Sequence, residues 1–217
     1  MMSCRVCRIG WSVLLTLSVA ACVAPQGGGY GGYPGTSPKA PGGARLVGTL
    51  DGITGAEAYY ARAGSAPVRA QNGMPVYEGD HIYTGPGTRM ILRFAQGGEA
   101  ELDENTDPVP RFLVDLGCLV VDLLRTGRMF VDGSAVCVGA VGTLTRQDSQ
   151  VVYDVRPGYA QITVAGGRAE LRRPRAEVVP AGWRVDATAR GIVNNGRPYQ
   201  LTRAQVEEAV RWTRWYQ

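Results

Sequence analysis

Between Leu46 and Ala189, apolar residues alternate with polar ones over short runs, and a glycine-bearing turn interrupts them every several residues. Period-two alternation bounded by turn residues predicts half-buried strands, and many such runs in one segment predict an all-β fold. Two turns can be read in detail. In Thr88-Arg-Met-Ile-Leu-Arg-Phe94, the residues Met90, Leu92 and Phe94 share a face; in Glu99-Ala-Glu-Leu-Asp103, Ala100 and Leu102 do. A three-residue loop, Gln96-Gly97-Gly98, sets Leu92 opposite Leu102, Phe94 opposite Ala100 and Arg93 opposite Glu101. A two-residue loop would set apolar residues against charged ones. A second hairpin is expected at Gly166-Gly167, pairing Val164 with Ala169 and Ile162 with Leu171, because two glycines accept the positive φ angles of a tight turn. The pattern becomes helical only from about Leu201 to Tyr216. Thr202 and Gln205 form a capping box there. Glu207 and Glu208 fall in the early turns and Arg211 and Arg214 in the late ones, as the helix dipole prefers. Trp212 and Trp215, three apart, fall on one side. The expected architecture is an antiparallel, hairpin-rich β sandwich or roll with one C-terminal α-helix.

The first residues follow another logic. Arg5 and Arg8 precede an apolar stretch from Ile9 to Val19, and small residues lead to Cys22. A charged start, a short apolar run and small residues at a cut site predict a secretory signal. The run is shorter than the ~20 residues a spanning helix needs, and Pro25 and Gly27 to Gly29 follow at once. Val19-Ala20-Ala21-Cys22 resembles the lipobox of bacterial lipoproteins, which implies that Cys22 becomes the first mature residue and carries acyl chains. Residues 22–45 are dominated by glycine and proline without an apolar period, the composition of a flexible tether. The chain thus divides into a signal (1–21), a tether (22–45), a β domain (46–190) and a C-terminal helical segment (191–217).

Composition narrows the chemistry. The formal charge of +4 falls to +2 once Arg5 and Arg8 leave with the signal, which is no nucleic-acid signature. Arg168, Arg172, Arg173 and Arg175 form a local basic stretch diluted by Glu170 and Glu177, the pattern of a solvated edge strand. Of the five cysteines, Cys4 and Cys7 sit in the signal and Cys22 takes lipid. Cys118 and Cys137 remain as a candidate disulfide in an oxidising compartment, worth roughly 3 kcal/mol by chain entropy, or as two buried small hydrophobes. The one histidine, His81, is expected on an outward position of a strand whose Ile82 faces inward. No metal-ligand spacing and no nucleophile–base set is available, so no metal, no cofactor and no catalysis are expected. Glu101 and Asp103 are expected to form a solvated carboxylate face.

One stretch carries a family resemblance. Gly73-Met-Pro-Val-Tyr-Glu-Gly79-Asp80-His-Ile82-Tyr-Thr84-Gly85-Pro-Gly87-Thr88 resembles the G-D-x-I-x-T-G run of the FecR domain. Thr126-Gly127-Arg-Met-Phe130-Val131, Val141-Gly142-Thr143, Tyr153-Asp-Val155-Arg-Pro-Gly158-Tyr-Ala-Gln-Ile162-Thr-Val164 and Val178-Val-Pro-Ala181-Gly182-Trp183 resemble later segments in the same order. Gln96-Gly97-Gly98-Glu99 departs from that family's D-G-S element. The resemblance covers roughly residues 48 to 190 and implies an all-β periplasmic domain. In the family's namesakes that domain relays a signal from an outer-membrane receptor to a cytoplasmic sigma factor, which a lipid on Cys22 could not do across a membrane.

These readings converge on a lipid-anchored protein on the periplasmic face of a bacterial membrane, the outer rather than the inner. Its expected role is a non-catalytic adaptor, sensor or assembly factor that binds another envelope protein. Trp212 and Trp215 are the candidate partner-binding residues unless they pack on the β domain, which the short, turn-like Asn194-Asn195-Gly196-Arg197-Pro198 connection favours, and exposed sheet edges invite strand addition. The alternative is a module for peptidoglycan or exopolysaccharide, with Tyr59, Tyr60, Tyr77 and Tyr83 as candidate contacts.

Overall fold

The computed structural model of the chain describes residues 43–62, 64–113, 118–123, 126–133, 136–138, 143–145, 148–157, 159–171, 177–188, 191–192 and 197–216. Within them the alternating runs become strands, since β-branched and aromatic residues fit a pleated, half-buried surface. The largest sheet has ten strands among the described residues. In space it runs β18 (Gly191–Ile192), β17 (Trp183–Thr188), β14 (Tyr159–Gly166), β13 (Gln150–Arg156), β10 (Gly127–Asp132), β7 (Glu99–Leu102), β6 (Arg89–Phe94), β1 (Leu46–Thr54) and β4 (Pro75–Tyr77). The short β19 (Tyr199–Gln200) also pairs with β17. A six-stranded sheet runs β16 (Glu177–Pro180), β15 (Arg168–Leu171), β12 (Thr143–Thr145), β11 (Val136–Val138), β9 (Cys118–Leu123) and β8 (Pro108–Leu113). A three-stranded sheet runs β3 (Val68–Arg69), β2 (Ala58–Ala61) and β5 (His81–Thr84). Among the described residues every pairing is antiparallel except β9 with β11. The fold is all-β with one short helix, α1 (Arg203–Val210).

The inward faces of β1, β6, β7, β10, β13, β14 and β17 supply one core. Leu50, Leu92, Leu102, Met129, Val151, Ile162 and Val185 pack there with Tyr60 and Ile82 from the small sheet. Fully burying each large apolar side chain is worth ~1.5–3 kcal/mol, so this core dominates the stability.

The hairpin of β6 and β7 keeps the expected faces but not the expected partners. Met90 lies opposite Leu102, Leu92 opposite Ala100 and Arg93 opposite Glu99. The three-residue loop is Ala95-Gln96-Gly97, closed by Phe94 N–H donating to Gly98 O at 3.1 Å. Gly98, just before β7, is pressed against the end of β10: a Cβ there would sit 2.5 Å from the Gly133 carbonyl carbon and 2.7 Å from Asp132 O. The slip is two residues, so every side chain stays on its face.

The turn expected at Gly166-Gly167 is a corner instead. β14 stays in the large sheet, beside β13 and β17, while β15 enters the six-stranded sheet beside β12 and β16. The return path bends at Ala181-Gly182, where Ala181 N–H donates to Gly167 O at 3.0 Å and Gly182 N–H to Val164 O at 2.8 Å. Residues 159–171 and 177–188 are therefore one long antiparallel ribbon, bent between two sheets at glycines of positive φ (Gly167 +64°, Gly182 +82°).

The Gly79-Asp80-His-Ile-Tyr-Thr84-Gly85 run is scaffold. Asp80 is buried and accepts Tyr77 N–H at 2.7 Å and the Tyr60 hydroxyl at 2.5 Å. Thr84 Oγ1 donates to Asp103 O at 2.5 Å and accepts Thr106 N–H at 3.0 Å, while Thr106 Oγ1 accepts Arg128 N–H at 3.0 Å. Two threonines thus tie the small sheet to the large one.

Candidate functional site

Apolar residues also occur on the outer face of the large sheet: Phe130 on β10, Val152 on β13 and Ala165 on β14. Phe130 and Val152 are buried and Ala165 partly so, because the C-terminal segment lies over them through Val210 and Trp212. The segment starts at α1, whose capping box forms as expected: Thr202 N–H donates to Gln205 Oε1 at 2.8 Å and Gln205 N–H to Thr202 Oγ1 at 3.3 Å. The helix stops at Val210, six residues before Tyr216. Its first turn holds no acid and its last no base, so Glu207, Glu208, Arg211 and Arg214 do not complement its dipole as expected. Beyond it the chain folds onto its own carbonyls: Trp212 Nε1 donates to Ala209 O at 2.9 Å and Thr213 Oγ1 to Val210 O at 2.8 Å. Trp212 and Trp215 therefore do not share a helix side. Trp212 is buried, while Trp215 is 48 % exposed and Tyr216 45 %.

The seat beneath Trp212 is electrostatic. Asp103, buried rather than solvated, accepts Arg89 Nε–H at 2.9 Å and Arg128 Nε–H at 2.8 Å. Held there, the two guanidinium carbons stand 6.0 Å (Arg89) and 4.8 Å (Arg128) from the Trp212 ring centre, within cation–π range. Glu101, also buried, accepts the Arg214 backbone N–H on both oxygens at 3.0 and 3.2 Å. Burial pushes its carboxyl above the ordinary glutamate value, against the pull of that N–H and of the Arg214 and Arg89 charges. Arg214 also pairs with Glu99, which shares Arg93 with Asp51. Trp215 leans on Phe130 with ring centres 5.8 Å apart. Arg214, Trp215 and Tyr216 are thus consecutive and half-exposed; Arg214 and Trp215 are held from below, and the Tyr216 backbone N–H donates to Thr213 O at 3.3 Å. Of these, only Trp215 stood out in the sequence. The signal that could have found the seat is the unbroken runs Met129-Phe130-Val131 and Val151-Val152-Tyr153, since strands apolar on both sides are covered on both faces.

The four tyrosines are sorted by burial. Tyr60 lies in the core. Tyr77 is half-buried, with Arg62 5.1 Å from its ring centre. Tyr59 and Tyr83, directly opposite on β2 and β5, stack on the outer face with ring centres 4.8 Å apart and planes 17° apart. His81 stands 6.1 Å from Tyr83 and pairs with Asp107. Burial raises the Tyr83 phenol above its usual value, and Tyr59 and Asp107 add to the shift.

The remaining expected residues are placed as follows. Cys22 lies outside the described residues, as do Arg172, Arg173 and Arg175. Cys118 opens β9 and Cys137 lies in β11; the parallel register sets Cys137 opposite Val120, two residues along from Cys118. Among the described residues no three His, Cys, Asp or Glu side chains converge as a metal site, and no helix is long and apolar enough to cross a membrane. The chain matches no family model and no curated protein, so its functional reading rests on these surfaces and on the residues that lead to Cys22.

Proposed function

We propose that this chain is a lipid-anchored protein of the bacterial periplasm whose FecR-type β body is a non-catalytic adaptor or assembly factor for another envelope protein. The observation that carries the reading is the Arg214-Trp215-Tyr216 knob: two exposed aromatic residues and an arginine on a seat built from Phe130, Glu101 and Glu99. Trp, Tyr and Arg are the residue types that dominate binding energy in protein interfaces, and a fixed seat lowers the entropy lost on docking. The anchor reading is supported by Val19-Ala20-Ala21-Cys22 and the tether after it. The family reading is supported by the order of the Gly79-Asp80, Thr84-Gly85 and Ala181-Gly182 segments.

Two measurements test this. Cys22→Ser should leave the protein unprocessed or free of the membrane, because acyl chains bury many methylenes at ~0.8 kcal/mol each; unchanged maturation and membrane retention would end the anchor reading. Photo-crosslinking from Tyr216 in intact cells should yield a discrete adduct that Trp215→Ala abolishes without moving the melting temperature. A wild-type adduct pattern in that variant would overturn the knob. Trp212→Ala should instead lower stability by ~3–5 kcal/mol, since it empties the seat.

A further inference from the structure

We infer that Cys118 and Cys137 form a fold-gated redox pair: the native register keeps them apart as two thiols, and a disulfide between them closes only when β11 leaves its place beside β9. The inference rests on strand register alone, so it fails or holds separately from the anchor and knob readings.

β9 and β11 run parallel, and Cys137 lies opposite Val120. Cys118 precedes Val120 by two residues, so the register places both cysteines on one face of the six-stranded sheet, diagonally across adjacent strands. Neighbouring strands are ~4.8 Å apart and two residues of a parallel strand span ~6.6 Å, which sets the two Cα atoms about 8 Å apart. A disulfide needs ~4.4–6.8 Å, and beyond ~7 Å it closes only if the backbone moves. The pair misses by one full side-chain period: Cys137 would have to retreat two residues along β9 to face Cys118.

The fold opposes that retreat. β11 is also paired with β12, through Cys137 opposite Leu144 and Val138 opposite Thr143, and β12 is paired in turn with β15. β9 is paired along its whole length with β8, from Leu113 opposite Cys118 to Pro108 opposite Leu123. Only residues 133–135 separate β11 from β10, which is held in the large sheet along β13 and β7. Gly133 donates its N–H to Ser149 O at 3.2 Å and lies against Gly98. A two-residue slip therefore breaks both ladders of β11 and pulls on a short link whose far end is clamped. In the unfolded chain no such ladder opposes closure, and the entropy of closing a loop grows only slowly with its length. Oxidation thus favours the unfolded chain and folding favours the dithiol, the coupling expected of a bond that only one state accommodates. Strained disulfides of this kind are the readily reduced ones. With glutathione disulfide as oxidant, one cysteine thiolate attacks it and releases one glutathione, and the second cysteine displaces the other. The pair loses two electrons and two protons, and two glutathione thiols form.

The test uses the full chain purified in detergent and equilibrated with one fixed mixture of glutathione and glutathione disulfide, in buffer and in urea above the unfolding midpoint. Each condition is approached from reduced protein and from protein oxidised in urea, so that slow access to the thiols is not mistaken for equilibrium. The Cys118–Cys137 bond is measured by peptide mapping after acid quench and alkylation. The ratio of bonded to open pairs should be at least about tenfold higher in urea than in buffer. The double variant Cys118→Ser/Val120→Cys puts a thiol directly opposite Cys137, at ~4.8 Å between Cα atoms, and should stay bonded in buffer. A parent bond that persists in buffer as it does in urea, or that raises the melting temperature, would overturn the inference. So would a double variant that opens in buffer as the parent does, since register would then not be what separates the thiols.

Discussion

Tyr60 and Tyr153 are both buried in the main core, and their hydroxyls meet opposite fates. Tyr60 donates to the Asp80 carboxylate at 2.5 Å and accepts from Arg62 Nη2 at 3.0 Å. Burial pushes its phenol up to about 12, with Asp80 adding to the shift. Tyr153 is 1 % exposed, and its hydroxyl finds no partner among the described residues; burial alone raises its phenol. A buried unpaired hydroxyl costs ~1–3 kcal/mol, whereas a bond to a charged group contributes ~1.5–3 kcal/mol. Tyr153→Phe should therefore leave stability unchanged or raise it by ~1 kcal/mol, while Tyr60→Phe should lower it by ~2 kcal/mol, both read from urea midpoints. A clear loss in Tyr153→Phe would mean that its hydroxyl is paired after all. Alternation alone marks Tyr153 as inward, between Val151 and Val155. It does not tell which inward hydroxyl has a partner, because Asp80 reaches Tyr60 only through the pairing of β2 with β5.

At the level of elements, alternation made faces legible and left partners open. A slip of two residues in the β6–β7 hairpin costs nothing in the binary pattern, so the pattern leaves the register open. Glycine pairs are equally ambiguous, since a positive φ serves a hairpin turn and a sheet corner alike. The edges were legible in another sense. Pro75 sits in β4, Pro108 and Pro110 in β8, Pro180 in β16, and Pro67 precedes β3. Proline offers no N–H to an incoming strand, so these edges are guarded against the strand addition the sequence suggested. The ribbon corner gives a direct test of its geometry. At Gly167 a Cβ would fall 2.2 Å from Asp148 O and 2.9 Å from Ser149 Cα, both backbone; at Gly182 it would meet nothing within 4 Å. Gly182→Ala should cost only the positive-φ penalty of ~1–2 kcal/mol. Gly167→Ala adds a clash that forces the backbone of β13's approach to move, and should cost ~3 kcal/mol or more. Equal losses in the two variants would mean that the bend is not held where Gly167 meets residues 148–149.

Across the whole molecule, what the sequence hid was the second layer. The all-β fold and the helix cap follow from short-range patterns, but the C-terminal segment covers strands more than a hundred residues earlier, as the Arg214–Glu101 contact shows. The pattern around Glu101, which alternates outward, does not tell that it is roofed; the signal lies in the runs Met129-Phe130-Val131 and Val151-Val152-Tyr153 of other strands. This roof leaves a signature in the pH dependence of folding. Glu101 is faced by Arg214 from the roof, Arg89 from β6 and Glu99 from its own strand, and burial outweighs the two cations, so its folded value lies above the ordinary 4.5. The folded state then holds the proton more tightly than the unfolded one. Its contribution is fully present below the unfolded value and is lost as pH rises through the folded value. Asp51 runs the other way. The Arg93 hydrogen bond, helped by Gly52 N–H, lowers its carboxyl below 3.8, so its contribution is present above that value and disappears as pH falls. Glu101→Gln keeps an oxygen for the Arg214 N–H and removes the charge. It should be as stable as the parent near pH 4 and gain on it steadily as pH rises above about 4.5, followed by urea midpoints. A Gln variant that grows weaker than the parent as pH rises would show that the paired carboxylate charge, not its burial, governs the roof. Loss of the Trp212 emission shift without global unfolding would show that the roof lifts as a unit of its own.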